Sequence, residues 1–264
     1  MKTLALSIVI PAYNEASTIP LLLDRICQVE LIQDMSKEII VVNDGSTDMT
    51  KLILQEYMSA NPEMNIRYIE HVRNQGKGAA VQTGIAAASG DYLIIQDADL
   101  EYHPEDYNKL LKPVFVGGAN VVYGSRFKDG NPHRVLFFMH RIGNRFLTLV
   151  SNIFTNLGLT DVHTCYKLFE TPLIKSIPLQ EKDFAFCPEV TAKIARIPNL
   201  RIYEVGISYY GRTYQEGKKI RWRDGFRAIY CMMKYNLFYR NRISPVQPFK
   251  VHSETRKVPV GKTL

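Results

Sequence analysis

Cysteine is scarce in this chain of 264 residues, and no long stretch of it is free of charge. The four cysteines are scattered and form no CxxC pair, which argues against a zinc site or a disulfide framework and suits a reducing cytosol. No segment reaches the roughly 18 uncharged apolar residues that indicate a membrane-spanning helix. The apolar run at the start lacks a small-residue cleavage site before the polar AYNE, so it predicts a β-strand rather than a signal peptide.

Two fingerprints of nucleotide-binding folds are also absent. The chain contains neither GxxxxGK[ST] nor a GxGxxG motif at the end of its first predicted strand. The nearest segment, RNQGKGAAVQTG at residues 73–84, fits neither pattern. A dinucleotide-dependent dehydrogenase is therefore not expected.

Positive charge is concentrated in the last quarter of the chain. The net charge is +7, and residues 201–264 contain 14 Lys and Arg against 4 Asp and Glu. The first 200 residues are therefore slightly acidic. With 46% apolar residues the chain is globular, and its basic last quarter indicates an anionic partner such as nucleic acid, phosphate or a lipid surface.

The first hundred residues alternate between strand patterns and helix patterns. Apolar runs such as IVI, IIVV and YLII lack the alternation of half-exposed strands, as expected of strands that are covered on both faces. The segments between them have helical periodicity. This order predicts an α/β protein with a Rossmann-like, mostly parallel sheet and helices on both faces.

Polar segments follow four of the predicted strands. They are PAYNE, NDGSTD, RNQGKG and QDADLE, at residues 11–15, 43–48, 73–78 and 96–101. Each alone is typical of an ordinary turn. Because the carboxyl ends of parallel strands share one edge of the sheet, where ligands bind, the four together predict a site.

The last of these segments carries acids at alternate positions, Asp97, Asp99 and Glu101. Carboxylates at the end of a strand can ligate Mg²⁺ or Mn²⁺, which leaves coordination positions open to substrate phosphates. A metal that holds a diphosphate is a Lewis acid for its departure. The alternative is that these acids only cap the helix that begins near residue 104.

PAYNE, NDGSTD, GKGAA, DADLE and GSR (residues 124–126), in this order and spacing, resemble family 2 of the nucleotide-sugar glycosyltransferases. The similarity runs from residue 4 to about residue 240 and is greatest to the dolichyl-phosphate mannose and glucose transferases, which act on polyprenyl phosphates. It implies the GT-A fold and C-terminal amphipathic helices.

The resemblance also implies roles for individual residues. Those at the nucleotide are Pro11, Ala12, Tyr13, Glu15, Asp44, Lys77, Asp97 and Ala98. The metal ligands are Asp97, Asp99 and Glu101, with Mg²⁺ or Mn²⁺ as the ion. The catalytic groups are Asp99, Arg126, Arg212 and Lys218, and the acceptor phosphate is held by Arg126, Arg212, Lys218 and Lys219. His163 is expected to be structural.

Two segments are candidate membrane-interface helices. Residues 133–159 combine an apolar stripe with three arginines and no acid, which disfavours a span and favours a helix at a lipid surface. Residues 226–241 are similar. Either segment could instead pack on its own domain. We expect one domain at residues 1–241, followed by a mobile basic tail at 242–264.

Together with these features, the resemblance implies an inverting enzyme that transfers a hexose from GDP-mannose or UDP-glucose to dolichyl or undecaprenyl phosphate in glycan or cell-wall biosynthesis. A phosphate acceptor is already an anion near pH 7, so it needs cations rather than a base. The enzyme would be cytoplasmic and peripheral on the cytoplasmic membrane face. The nearest alternative acceptor is a hydroxyl of a growing polysaccharide or glycolipid. A nucleotide-sugar sensor also stays open, whereas a nucleic-acid partner is not expected because it leaves the three acids without a purpose.

Overall fold

One seven-stranded sheet organises the molecule. The structure is a computed structural model that describes residues 3–128, 134, 138–212 and 222–239, except for the side chains of 222–224. The strands are β1 (Ala5–Ala12), β2 (Ser36–Asn43), β3 (Ile66–Glu70), β4 (Tyr92–Ile95), β5 (Val121–Ser125), β6 (Lys167–Glu170) and β7 (Ile202–Gly206). Their order is β3-β2-β1-β4-β6-β5-β7, and of these seven only β6 runs antiparallel to its neighbours. The predicted mostly parallel sheet is confirmed.

Helices cover both faces of this sheet. The described residues form eight α-helices: α1 (Ile19–Gln28), α2 (Thr50–Ala60), α3 (Lys77–Ala87), α4 (Tyr107–Gly117), α5 (Phe138–Thr155), α6 (Thr171–Ser176), α7 (Phe186–Ile194) and α8 (Trp222–Met233). Short 3₁₀ turns lie at Ile32–Asp34 and Pro104–Asp106, and a π-helical turn at Lys234–Phe238 continues α8.

The strand β1 shows why the apolar runs do not alternate with polar residues. Leu6, Ile8 and Ile10 point into the core under α1, α2 and α4. Val9 points to the opposite face, into the core under α3, α6 and α7. All four side chains are fully buried, so both faces of the strand lie in apolar surroundings.

The strand register brings the functional loops to one level. Ala12 at the end of β1 pairs with Asn43 of β2, which in turn pairs with Glu70 of β3. The strands β4 and β5 are both antiparallel to β6 and therefore run in the same direction as β1. Consequently the segments that follow β1, β2, β3, β4 and β5 all leave the same edge of the sheet.

The two candidate interface helices differ from prediction mainly at their ends. The helix expected at 133–159 is observed as Phe138–Thr155, and the one expected at 226–241 begins at Trp222 and continues as the π-helical turn to Phe238. Both are amphipathic and pack against each other. Lys218, Lys219 and the predicted tail at 242–264 lie outside the described residues, so the expectations for them stay predictions.

Gly84 allows α3 to pack closely on the sheet. A Cβ atom at this position would overlap the Val9 side chain. We expect Gly84→Ala to lower the free energy of unfolding by about 1–3 kcal/mol, because overpacking outweighs the gain in helix propensity. Urea unfolding measures the change. The matched control is Gly143→Ala on α5, where a Cβ meets no atom within 4 Å and should stabilise by up to about 1 kcal/mol.

Candidate active site

A cavity of about 480 Å³ opens at the carboxyl edge of the sheet. It extends from the ends of β1, β2 and β4 to the inner faces of α5 and α8. Every predicted site residue that the structure describes lines it: Pro11, Ala12, Tyr13, Glu15, Asp44, Lys77, Asp97, Ala98, Asp99, Glu101, Arg126 and Arg212. The structure therefore brings these residues together, although it does not by itself assign their roles.

Asp44, at the end of β2, is tightly held by the loop that follows β3. Its Oδ1 atom accepts the Gln75 N–H at 2.9 Å and lies 2.7 Å from Nδ1 of His71. Its Oδ2 atom accepts the Gly76 N–H at 2.8 Å. Thr83 fixes the far side of the imidazole, with its hydroxyl oxygen 2.9 Å from Nε2. Three of the roughly four acceptor positions of this carboxylate are thus in use.

Lys77 begins α3 and projects toward the acids that follow β4. Its Nζ atom lies 2.5 Å from Oδ1 of Asp97 and donates to Sγ of Cys165 at 2.8 Å. Burial opposes the charge, but Asp97 and then Cys165 raise the pKa of Lys77 well above its ordinary value. Lys77 is therefore a permanent cation at the acidic end of the cavity.

Arg212 supplies a second cation to the acids. Its Nη2 atom donates to Oδ2 of Asp99 at 2.9 Å, and its guanidinium lies 3.6 Å from both Glu15 and Glu101. Glu101 accepts the Arg212 backbone N–H at 2.7 Å and the Tyr209 hydroxyl at 2.8 Å. Arg212 thus lies among the acids that were expected to hold the metal, and its expected contact with the acceptor phosphate stays a prediction.

Crowding of negative charge is strongest at Asp99. Burial, together with the charges of Asp97 and Glu101, raises the pKa of Asp99 to about 7, against the opposing effect of Arg212 and Lys77. A group with this pKa is only partly ionised at neutral pH unless more positive charge arrives. The arrangement favours binding of a further cation.

The donor set fits a divalent ion that shares its coordination with a ligand. Among the described residues, no group of three or more His, Cys, Asp and Glu side chains is arranged to hold a metal. Mg²⁺ usually needs only one or two carboxylates beside water and substrate phosphates, and Asp97 and Asp99 can supply these. Both oxygens of Glu101 already accept hydrogen bonds, from Tyr209 and the Arg212 backbone, and both oxygens of Asp99 do so as well, from the Glu101 N–H and Nη2 of Arg212. A metal would therefore share these oxygens with their present donors or displace them.

Arg126, after β5, is locked by a carboxylate that sequence spacing did not reveal. Its Nε and Nη2 atoms donate to Asp161 at 2.7 and 2.8 Å, and its backbone N–H donates to the same group at 3.1 Å. Burial opposes the charge on Asp161, but Arg126 holds its pKa below the ordinary value. The ring of Tyr209 lies 5.1 Å from the guanidinium carbon. Arg126 therefore offers the cavity donor groups in a fixed orientation, but less net charge than an unpaired arginine.

The sequence analysis missed the contribution of α5 to the cavity. His140, Asn144 and Leu147 line it, as do Arg134 and Arg141. The spacing of four and three residues from 140 to 147 is that of one helical face, and it was visible in the sequence. The arginines were used there only to weigh a membrane span against a helix at a lipid surface.

His163 also lines the cavity, but as a neutral group. Burial, followed by the charge of Lys167, lowers its pKa to about 4 despite the opposing charge of Asp161. Its Nε2 atom has no hydrogen-bond partner among the described residues. At neutral pH His163 cannot contribute positive charge to an anionic ligand.

Comparison with known proteins identifies the family. Residues 7–177 match the family described as glycosyl transferase family 2. The chain belongs to this family.

It is 27% identical over 247 residues to the dodecaprenyl-phosphate galacturonate synthase of Rhizobium johnstonii, covering 93% of this chain and 70% of the relative. It is 28% identical over 243 residues to the dolichyl-phosphate beta-glucosyltransferase of Dictyostelium discoideum, covering 87% and 72%. The protein is thus a glycosyltransferase.

Solved structures agree on the fold of this glycosyltransferase. Glucosyl-3-phosphoglycerate synthase from Mycobacterium tuberculosis, in complex with Mn²⁺, UDP-glucose and phosphoglyceric acid, superimposes with a TM-score of 0.67 at 20% identity. The match covers 88% of this chain and 79% of that one. The expected GT-A fold is confirmed.

The Arg126–Asp161 pair generates a stability prediction for the glycosyltransferase. Asp161→Asn leaves the arginine buried without its counter-charge, so we expect the free energy of unfolding at pH 7 to fall by about 3–5 kcal/mol. The double variant Arg126→Met/Asp161→Asn should lose less, because it removes both charges. Urea unfolding of the two variants measures the difference, with Lys51→Gln, which breaks an exposed ion pair of 2.8 Å, as a control expected to leave the free energy of unfolding nearly unchanged.

The same pair predicts an acid dependence. Since the pKa of Asp161 is depressed in the folded state, its stabilisation is present above the unfolded pKa of about 4 and is lost as pH falls through the folded value. If Asp161→Asn and Arg126→Met/Asp161→Asn lowered the free energy of unfolding at pH 7 equally, the assignment of a buried, charge-compensated pair would be contradicted.

Proposed function

We propose that the protein is an inverting glycosyltransferase that moves a hexose from a UDP-sugar to a polyprenyl phosphate at a membrane surface. One observation carries the proposal. A single cavity joins the acidic residues after β4 to three arginines on or near α5, namely Arg126, Arg134 and Arg141. The outer face of α5 is exposed and apolar. Donor diphosphate, acceptor phosphate and lipid chain therefore each have a chemically matched region.

The occupancy of Asp44 supports a uridine donor over a guanosine donor. Guanine presents two adjacent N–H donors that pair best with both oxygens of a carboxylate, whereas uracil presents one. Oδ1 of Asp44 already faces Gln75 and His71, and one acceptor position is left on Oδ2 beside Gly76. The relative from Dictyostelium discoideum is a glucosyltransferase, which favours glucose over mannose as the transferred sugar.

The acidic end suits the sugar diphosphate. Asp97 and Asp99 would hold Mg²⁺ or Mn²⁺, which supplies Lewis-acid stabilisation to the departing diphosphate. Lys77 and Arg212 flank these acids and can donate to diphosphate oxygens that lie between them. Their charges are in place before the reaction begins, which is how a preorganised site stabilises developing negative charge.

The other end suits an acceptor that is already an anion. Arg126, Arg134 and Arg141 line it together with His140 and Asn144. Among the described lining residues, the one carboxylate outside the acidic and nucleotide regions that could act as a base is Asp183, which is paired with Arg227 at 2.8 Å. A hydroxyl acceptor would need such a base, whereas a phosphate monoester needs only cations to orient it. Arginine is well suited to that task because its planar fork matches phosphate oxygens.

Exposed apolar side chains on α5 and α8 support attachment to lipid. Those exposed by more than a third are Phe138, Met139, Ile142, Phe146, Leu149 and Ile153 on α5, and Phe226, Tyr230, Met233, Leu237 and Phe238 on α8 and its π-helical turn. In the described part of the chain, none of the helices has the length and apolarity to traverse a bilayer. An amphipathic pair with arginines at its border can lie in the interface. We place it on the cytoplasmic face, where free cysteines are stable.

Incubation of the enzyme with a radiolabelled UDP-sugar, Mn²⁺ and a short polyprenyl phosphate tests the reaction. We expect an acid-labile lipid-linked product, formed faster from UDP-glucose than from GDP-mannose. Asp99→Asn should reduce turnover by at least about a hundredfold, because it removes a group on which diphosphate departure depends. Transfer to a polysaccharide or glycolipid hydroxyl with no lipid-phosphate product would refute the proposed acceptor.

Vesicle flotation tests the proposed lipid face. We expect Phe146→Glu/Ile153→Glu to weaken binding to anionic vesicles by at least about tenfold, since each apolar side chain contributes about 1.5–3 kcal/mol when fully buried. Both residues are more than half exposed, so the thermal midpoint should hardly change. Val72→Glu, at a fully exposed site outside α5 and α8, is the control. Unaltered flotation of the double variant would contradict this face.

A further inference from the structure

Residues 181–183 form a bridge between α3 and α8. On one side the Lys182 carbonyl accepts the Ala79 N–H at 3.0 Å, and the Glu181 carbonyl accepts from Nε2 of Gln82 at 2.8 Å. Gly76 and Gly78 lie so close to these carbonyls that a Cβ atom on either would overlap them. The first turn of α3 therefore rests directly on the backbone of this bridge.

On its other side the bridge forms hydrogen bonds and ion pairs with α8 and its π-helical turn. The Glu181 carboxylate accepts from Nζ of Lys234 and from the Tyr235 hydroxyl, each at 2.8 Å. Nε of Arg227 lies 2.8 Å from Asp183, and its Nη2 lies 3.4 Å from Glu181. Three side chains of α8 and its π-helical turn thus converge on the two acids of a three-residue segment.

Glu181 and its partners on α8 lie outside the site, although Asp183 of the bridge lines the cavity. Glu181, Arg227 and Lys234 are not among the residues that line the cavity, whereas Lys77 is. Lys77 stands between the two glycines that pack on the bridge, so a shift of the bridge moves the base of this side chain. Because Lys77 contacts Asp97 at 2.5 Å, a small displacement would alter its hold on a diphosphate.

We infer that Glu181 is a positioning residue, which uses the cations of α8 to hold the first turn of α3 and thereby directs Lys77 at the donor diphosphate. The inference rests on the proposed donor site. It adds a specific dependence: side chains of α8 that do not reach the donor nevertheless set the affinity for it.

A double-mutant cycle on nucleotide affinity tests this dependence. The dissociation constant of UDP with Mn²⁺ is measured calorimetrically for the wild type, Glu181→Gln, Lys77→Gln and the double variant. We expect Glu181→Gln to weaken binding about five- to tenfold and Lys77→Gln by about tenfold or more. The double variant should bind no more weakly than Lys77→Gln alone, because Glu181 acts through Lys77. Glu70→Gln, which breaks the pair with Lys51 on the outermost strand β3, should leave the constant unchanged.

Lys234→Gln provides a test that does not depend on the folding of the Glu181 variant. Its side chain is more than a third exposed, so its loss should leave the thermal midpoint nearly unchanged while weakening UDP binding about twofold or more. Wild-type affinity in both Glu181→Gln and Lys234→Gln, or additive losses in the cycle, would overturn the inference and leave the proposed function intact. Wild-type affinity in Lys77→Gln would instead refute the donor site itself.

Discussion

Mutual repulsion among the carboxylates after β4 is the constraint around which the site is arranged. Asp97, Asp99 and Glu101 lie at alternate positions of one short segment, and burial together with the charges of the other two raises the pKa of Asp99 to about 7. The fold offsets this with Lys77 from the start of α3 and Arg212 from the segment after β7. Each cation comes from a different part of the chain, so the charge balance exists only in the folded protein.

Sequence alone predicted the sheet and the edge at which the cavity opens, for a simple physical reason. Buried parallel strands produce uninterrupted apolar runs, and their carboxyl ends leave the sheet on one side. The polar segments that follow such strands must therefore lie near one another, as PAYNE and QDADLE do. This argument needs only local pattern and the direction of the strands.

What sequence could not predict is how the functional groups are paired. The bond from Arg126 to Asp161 spans 35 residues, and that from Glu181 to Lys234 spans 53. Neither has a periodic signature, because both depend on the way helices settle on the completed sheet. The same packing explains α5. Its inner face carries Leu147 and Thr148 into the protein while Phe146 and Leu149 remain outside, so packing on the domain leaves an apolar face for the proposed lipid contact.

The order of charge along the cavity gives the proposed reaction a direction. An acceptor phosphate monoester carries between one and two negative charges at neutral pH and is drawn to the arginines at the α5 end. Its oxygen attacks the anomeric carbon of the donor sugar, and the bond from that carbon to the diphosphate breaks as UDP leaves. The product is a phosphodiester with a single negative charge, so the arginines hold it less strongly than they hold the acceptor. Negative charge has meanwhile grown at the end where Lys77 and Arg212 lie. The lipid product is therefore held more weakly than the acceptor from which it was formed. Its chain can withdraw along the apolar face of α5.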